Sequence, residues 1–122
     1  MSTVHVVLLV TGAVTALLML AAARRKLTGA PPTHESADHP PVSESQYRLL
    51  GYVEVLAVIG IILGVWCPAI GLAAGIGVVA LMVGALGFHL RSRHSVKAMV
   101  PALVGLAASA GFAAAQASLI WG

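Results

Sequence analysis

Four apolar segments, each close to the length of a membrane-crossing helix, make up most of the 122-residue sequence. They cover residues 3–23, 49–66, 69–90 and 100–121. A helix of about 20 residues crosses a hydrocarbon core about 30 Å thick, whereas a spanning strand would be about half as long and would alternate apolar with polar residues. The segments therefore predict an all-α integral membrane protein, a four-helix bundle in one transmembrane domain over 1–122. With their polar approaches, the helices are expected at 3–23, 46–66, 69–90 and 98–121, and a polar loop is expected at 27–45.

The composition argues against a soluble protein. Apolar residue types make up 59% of the sequence and charged types 9%, whereas a soluble domain carries roughly a quarter charged residues. The formal charge of +3 does not indicate nucleic-acid binding, because the basic residues are not interleaved with aromatics on one face. A single cysteine, Cys67, permits no disulfide within the chain and no multi-cysteine metal site. The sequence also contains no haem ligand pair and no flavin motif, so we expect no cofactor.

Seven basic residues flank the first and third connections between the segments, and none flanks the second. They are Arg24, Arg25, Lys26, Arg48, Arg91, Arg93 and Lys97. The positive-inside rule predicts a multi-pass protein of the cell membrane with these two loops in the cytoplasm and both termini on the extracytoplasmic side. Trp66 and Trp121 then lie at outer helix ends, where amphipathic rings are favoured. Because the first charges follow the first apolar segment, that segment is expected to be an uncleaved helix and not a signal peptide.

The first connection contains "HESADH", in which His34, Glu35, Asp38 and His39 are metal-binding residue types. A zincin motif places its two histidines four positions apart on a helix. Here the histidines are five positions apart, and flanking Pro-Pro pairs disfavour a helix. The sequence therefore predicts a solvated loop with no metal site.

Glu54 is the one carboxylate within the four apolar segments. A charge at the bilayer centre costs roughly 2.5–3.5 kcal/mol and usually faces the bundle interior. Since neighbouring helices run in opposite directions, Lys26 at the end of the first helix and His89 near the end of the third are expected at a similar depth. We predict that Glu54, His89 and Lys26 form an acid–base site open to the cytoplasm. The expected substrate contacts are Tyr47, Arg48, Gly51, Met82 and Arg91.

These residues also have structural interpretations. Lys26, Arg48 and Arg91 are typical of anchors whose charged groups extend to the membrane surface. Alternatively, Glu54 forms a buried pair with Lys26 or His89, and the sole role of this pair is to fix the helix register.

Small and polar residues elsewhere predict helix packing. Gly60 with Gly64, and Gly71 with Gly75, are small-xxx-small pairs that allow close crossings within one chain or between the chains of a homo-oligomer. Gln116, near the outer end of the fourth segment, is expected to hydrogen-bond His5 at the start of the first.

Several motifs, taken together, resemble the DoxX-like family of small four-helix membrane proteins. They are "RKLTG" at 25–29, "YRLLGYVEVLAVIGIILG" at 47–64, Pro68, "LMVGALGFHLR" at 81–91 and Pro101. The resemblance covers roughly residues 16–105 and does not include the proline-rich loop. It implies the four-helix fold and functional positions at Lys26, Arg48, Gly51, Glu54, His89 and Arg91. The wider family is similar to small subunits of thiosulfate:quinone oxidoreductases, to maturation factors and to receptor-assembly chaperones.

Three functions remain open at this point. The first is a membrane-embedded acid–base enzyme, of an isomerase, hydrolase or oxidoreductase-associated type, acting on a lipophilic small molecule such as a quinone, terpenoid or epoxide. The second is a non-catalytic subunit or assembly factor that binds a membrane oxidoreductase through glycine-rich helix faces. The third is a small multidrug exporter, which has a similar size. Its essential acid lies in its first helix, which here has no Asp or Glu, and its aromatic-lined cavity has no counterpart among the six aromatic residues of this chain. Membrane lipids are expected partners in every case.

Overall fold

Four helices form the fold of this computed structural model, which describes residues 2–28, 44–91, 93 and 95–122. They are α1 (Thr3–Leu27), α2 (Glu44–Leu63), α3 (Pro68–Arg91) and α4 (Val96–Trp121). By length and composition, all four can cross a membrane. The predicted all-α class and the four spanning helices are confirmed. The loop residues His34, Glu35, Asp38 and His39 lie outside the described residues.

Two helix ends differ from the predicted boundaries by three or more residues, and the other bounds agree within two residues. Helix α1 continues to Leu27, through the basic residues, because Arg and Lys are good helix formers whose apolar stems tolerate the membrane edge. It ends at Thr28, whose N–H and hydroxyl both donate to the Arg24 carbonyl, at 2.9 and 2.6 Å. Helix α2 ends earlier than predicted, at Leu63, and Pro68 opens α3, a position that needs no N–H donor.

Each helix packs against two neighbours, in the pairs α1–α2, α2–α3, α3–α4 and α1–α4. In the described part of the chain, the backbones of the diagonal helices do not approach each other in this way. Successive helices are antiparallel, so α1 and α3 end where α2 and α4 begin. All seven Lys and Arg residues lie at this end, which we call the basic end. Trp66 and Trp121 are highly exposed at the opposite end, as the charge pattern predicts.

Small side chains allow α2, α3 and α4 to approach closely. A Cβ atom added at Gly60 would lie 2.8 Å from Cβ of Ala74, and one added at Gly75 would lie 3.1 Å from Cβ of Ala113. One added at Gly64 would collide with Cα of Gly71. The predicted glycine pairs therefore serve crossings within this chain.

Gln116 joins this crossing from α4. Its side chain is fully buried, and its Nε2 donates to the Gly64 carbonyl at 2.8 Å. The predicted hydrogen bond between Gln116 and His5 is wrong, because Nδ1 of His5 lies 2.7 Å from the Ser2 hydroxyl at the start of α1. The amide instead satisfies a backbone carbonyl that α2 leaves unpaired where it ends.

Candidate functional site

Lys26 of α1 and Glu54 of α2 form an ion pair near the basic end of the bundle. Nζ of Lys26 lies 2.8 Å from Oε1 of Glu54. The carboxylate side chain is 6% exposed and the lysine side chain 19% exposed. The acid expected in the bundle interior is therefore buried there, beside a cation supplied by the neighbouring helix.

The direction of the helices explains why these two residues meet. Cα–Cβ bonds tilt toward the N-terminus of their helix. Lys26 stands at the end of α1, so its side chain leans into the membrane, while Glu54 lies well inside α2 and leans back toward the basic end. Two residues at different depths on antiparallel helices thus bring their charged groups to one level.

Gly51 and Tyr47 complete the surroundings of the ion pair. They share a face of α2 with Glu54, because positions three or four apart lie above one another on a helix. A Cβ added at Gly51 would lie 2.9 Å from Cγ of Leu27 and 3.0 Å from Cβ of Lys26. The missing side chain therefore admits the end of α1. Nζ of Lys26 also lies 5.5 Å from the ring centroid of Tyr47, within the range of a cation–π contact.

The carboxylate keeps hydrogen-bonding capacity. Oε1 of Glu54 is buried, and Nζ of Lys26 at 2.8 Å is its charged partner. A carboxylate has about four acceptor positions on its two oxygens, and the Lys26 contact uses one of them. A carboxylate with an unused acceptor position can accept a proton or a hydrogen bond from a bound molecule.

The other predicted catalytic residue, His89, lies nearer the basic end than Glu54. Gly64 lies against Gly71, and Gly60 lies against Ala74, which fixes the register of α2 and α3. Extended along both helices, this register brings Glu54 opposite positions 80–81 and His89 opposite positions 45–46. By this register, the Cα of His89 lies about 13 Å nearer the basic end than the Cα of Glu54, while the two side chains lean toward each other along the antiparallel helices. The imidazole is half-buried at the end of α3 and forms a T-shaped ring contact with Phe88.

The remaining predicted contacts lie in different environments. Met82 is buried in the core, and a Cβ added at Gly105 of α4 would lie 2.7 Å from its sulfur. Arg48 and Arg91 are exposed at the basic end. The structure thus brings together Lys26, Glu54, Tyr47 and Gly51.

Two buried hydroxyl residues were not predicted. Thr15 and Ser109 are fully buried, and each donates to its own helix, to the carbonyls of Thr11 at 2.7 Å and Leu106 at 3.2 Å. The sequence signal that could have identified them is their position on the interior faces of α1 and α4. Because their protons already have acceptors, they are structural residues.

The fold and the site together define a class: a small membrane-spanning four-helix bundle with a Lys–Glu pair buried between its first two helices. The model of the DoxX-like family matches residues 9–112, most of the chain. The protein therefore belongs to the DoxX-like family, as the sequence motifs indicate. No curated protein and no solved structure is significantly similar to the chain.

Proposed function

We propose that this DoxX-like protein is a membrane-embedded acid–base enzyme acting on a lipophilic small molecule, of the quinone, terpenoid or epoxide type. The ion pair of Lys26 and Glu54 carries this proposal. Ionisable residues within membrane segments are costly, and they commonly mark sites of proton or substrate chemistry. A pair that served only to join α1 and α2 could be replaced by apolar side chains of similar volume at little cost.

In this proposal, the Glu54 carboxylate takes a proton from the substrate and later returns one. The Lys26 ammonium stabilises the negative charge that develops on a substrate oxygen. His89, nearer the membrane surface, exchanges the proton with water. Arg48 and Arg91 hold polar substrate groups at the rim, Tyr47 and Met82 contact the apolar part, and Gly51 serves the site by admitting the end of α1 that carries Lys26.

The test is the Glu54→Gln variant expressed in cells that lack the protein. The amide has nearly the same shape but cannot accept a proton, so we expect the product to fall at least about 100-fold. Lys26, left without its partner, is close enough to the basic end to extend into water, so the variant should remain folded. Lipid-soluble extracts of cells with wild-type protein, the variant or neither would be compared by mass spectrometry. Wild-type product levels from the variant would contradict the proposal.

A second function, that of a non-catalytic subunit, is favoured by one surface of α3. Ala73, Gly77, Ala80 and Gly84 are all exposed on one side of this helix, and a Cβ added at Gly77 or Gly84 would meet nothing within 4 Å. Such a face allows the close approach of a helix from a membrane oxidoreductase or from a second copy of this chain. If this function holds, Gly84→Leu should abolish co-purification of the membrane oxidoreductase or of a second, differently tagged copy of this chain. Glu54→Gln should leave that co-purification intact.

We also propose that the basic end faces the cytoplasm, which the positive-inside rule supports. Cys67 is exposed at the opposite end and is the chain's single cysteine. A membrane-impermeant maleimide should therefore label the wild-type protein in intact cells. A Cys67→Ser/Thr28→Cys variant, with its thiol at the basic end, should be labelled only after the cells are permeabilised. The reverse pattern would contradict this orientation.

A further inference from the structure

The formal charges are divided unevenly between the two halves of the chain. Residues 1–54 contain four Lys or Arg residues and all four Asp or Glu residues, which cancel. Residues 55–122 contain Arg91, Arg93 and Lys97 and no acid at all. The whole formal charge of +3 therefore comes from residues 91–97, which include the last residue of α3, the connection and the first turn of α4; we call this stretch the cationic turn.

The cationic turn is compact. Arg93 has a left-handed φ of 55°, and its N–H donates to the Leu90 carbonyl at 3.2 Å. The hydroxyl of Ser95 caps α4 by accepting from the Ala98 N–H at 3.3 Å. These bonds order the backbone on both sides of Arg93, and Arg91, Arg93 and Lys97 all lie at the basic end.

All three cations of the turn are exposed. The ion pair found among the described residues joins Lys26 to Glu54 on the other pair of helices. The other three acids, Glu35, Asp38 and Glu44, belong to the first connection and the start of α2. The end of α3 and the start of α4 thus carry exposed positive charge that an external anion can approach.

The neighbours of these cations indicate what kind of anion fits. Leu90 and Val96, directly before and after the turn, are 65% and 74% exposed. In a bilayer, exposed apolar side chains next to cations at a helix end can contact acyl chains while the cations reach the headgroup phosphates. A free anion in water would make no favourable contact with Leu90 and Val96. A phospholipid can contact the cations with its phosphate and the two apolar side chains with its acyl chains.

We propose that the cationic turn binds the headgroup phosphate of an anionic phospholipid. The attraction of a basic residue to an anionic membrane surface corresponds to about a fivefold change in affinity. Three such residues in one turn should therefore prefer an anionic lipid over a zwitterionic one by on the order of 100-fold.

Native mass spectrometry of the detergent-purified full chain tests this, with phosphatidylglycerol and phosphatidylcholine as probes. The wild-type protein should retain phosphatidylglycerol selectively, and Arg91→Gln/Arg93→Gln/Lys97→Gln should lose that selectivity by on the order of 100-fold. Arg91→Lys/Arg93→Lys, which preserves the charge, should keep it. Circular dichroism would establish that each variant is helical.

A matched control removes three charges elsewhere at the basic end, as Arg24→Gln/Arg25→Gln/Arg48→Gln. The selectivity of this control for phosphatidylglycerol should fall by less than about fivefold. The proposal is overturned if this control loses as much selectivity as the turn variant, or if the turn variant keeps it. It is also overturned if inorganic phosphate at equal concentration displaces the lipid, because the turn would then be a general anion site.

Discussion

The Lys26→Met variant is expected to be less stable than the wild-type protein by about 3 kcal/mol. Methionine has nearly the shape of the lysine stem but leaves the Glu54 carboxylate, 6% exposed, without a counter-charge in a medium of low dielectric constant. Glu54 cannot reach the membrane surface, because it lies well inside α2 and its side chain is short. Denaturant unfolding in micelles, followed by circular dichroism, would measure the loss.

Two further variants isolate the ion pair as the cause. Arg25→Met removes the neighbouring, exposed cation and should change stability by no more than about 0.5 kcal/mol. The double variant Lys26→Met/Glu54→Gln removes both charges and should recover most of the loss. If Lys26→Met alone were as stable as the wild-type protein, the pair would contribute nothing to the fold.

The Gly71→Ala variant is expected to cost about 2–3 kcal/mol. An added Cβ would lie 2.7 Å from Cδ of Gln116 and 2.8 Å from Cα of Gly64, and it would collide with Nε2 of Gln116. Because a backbone atom is among these neighbours, α2 and α3 must move apart, and the hydrogen bond from Gln116 to the Gly64 carbonyl is strained or lost.

Gly77→Ala is the matched control, since it lies on the same helix and its added Cβ would meet nothing within 4 Å. It should be neutral or should stabilise α3 by up to about 1 kcal/mol, because alanine favours a helix over glycine. The difference between the two variants in thermal unfolding isolates the packing contribution. Equal stabilities would show that α3 is not held against α2 and α4 at Gly71.

The helices and the ion pair could be predicted because each depends on local rules. The length of each apolar segment matches the bilayer thickness. The pairing of Lys26 with Glu54 agrees with two consecutive antiparallel helices, because the end of α1 and the start of α2 then lie at the same end of the bundle.

The depth of His89 and the partner of Gln116 could not be predicted in this way. Counting turns from the end of α3 does not give the axial position of α3 relative to α2. The Gly64–Gly71 contact at the opposite end of the bundle sets that position. Likewise, α4 packs against both α1 and α3, and only the packed structure shows that Gln116 turns to the carbonyl of Gly64 and away from His5. Long-range register is therefore the information that the sequence pattern lacks.

The charge state of Glu54 at neutral pH tests the central claim most directly, because the ion pair and the proposed chemistry both need an ionised acid inside the bundle. The measurement is the infrared difference spectrum between the wild-type protein and Glu54→Gln in lipid bilayers. We predict that the variant loses the two stretching bands of an ionised carboxylate. Loss of the carbonyl band of a protonated acid would show that Glu54 is neutral, and would contradict both the ion pair and the role of Glu54 as a base.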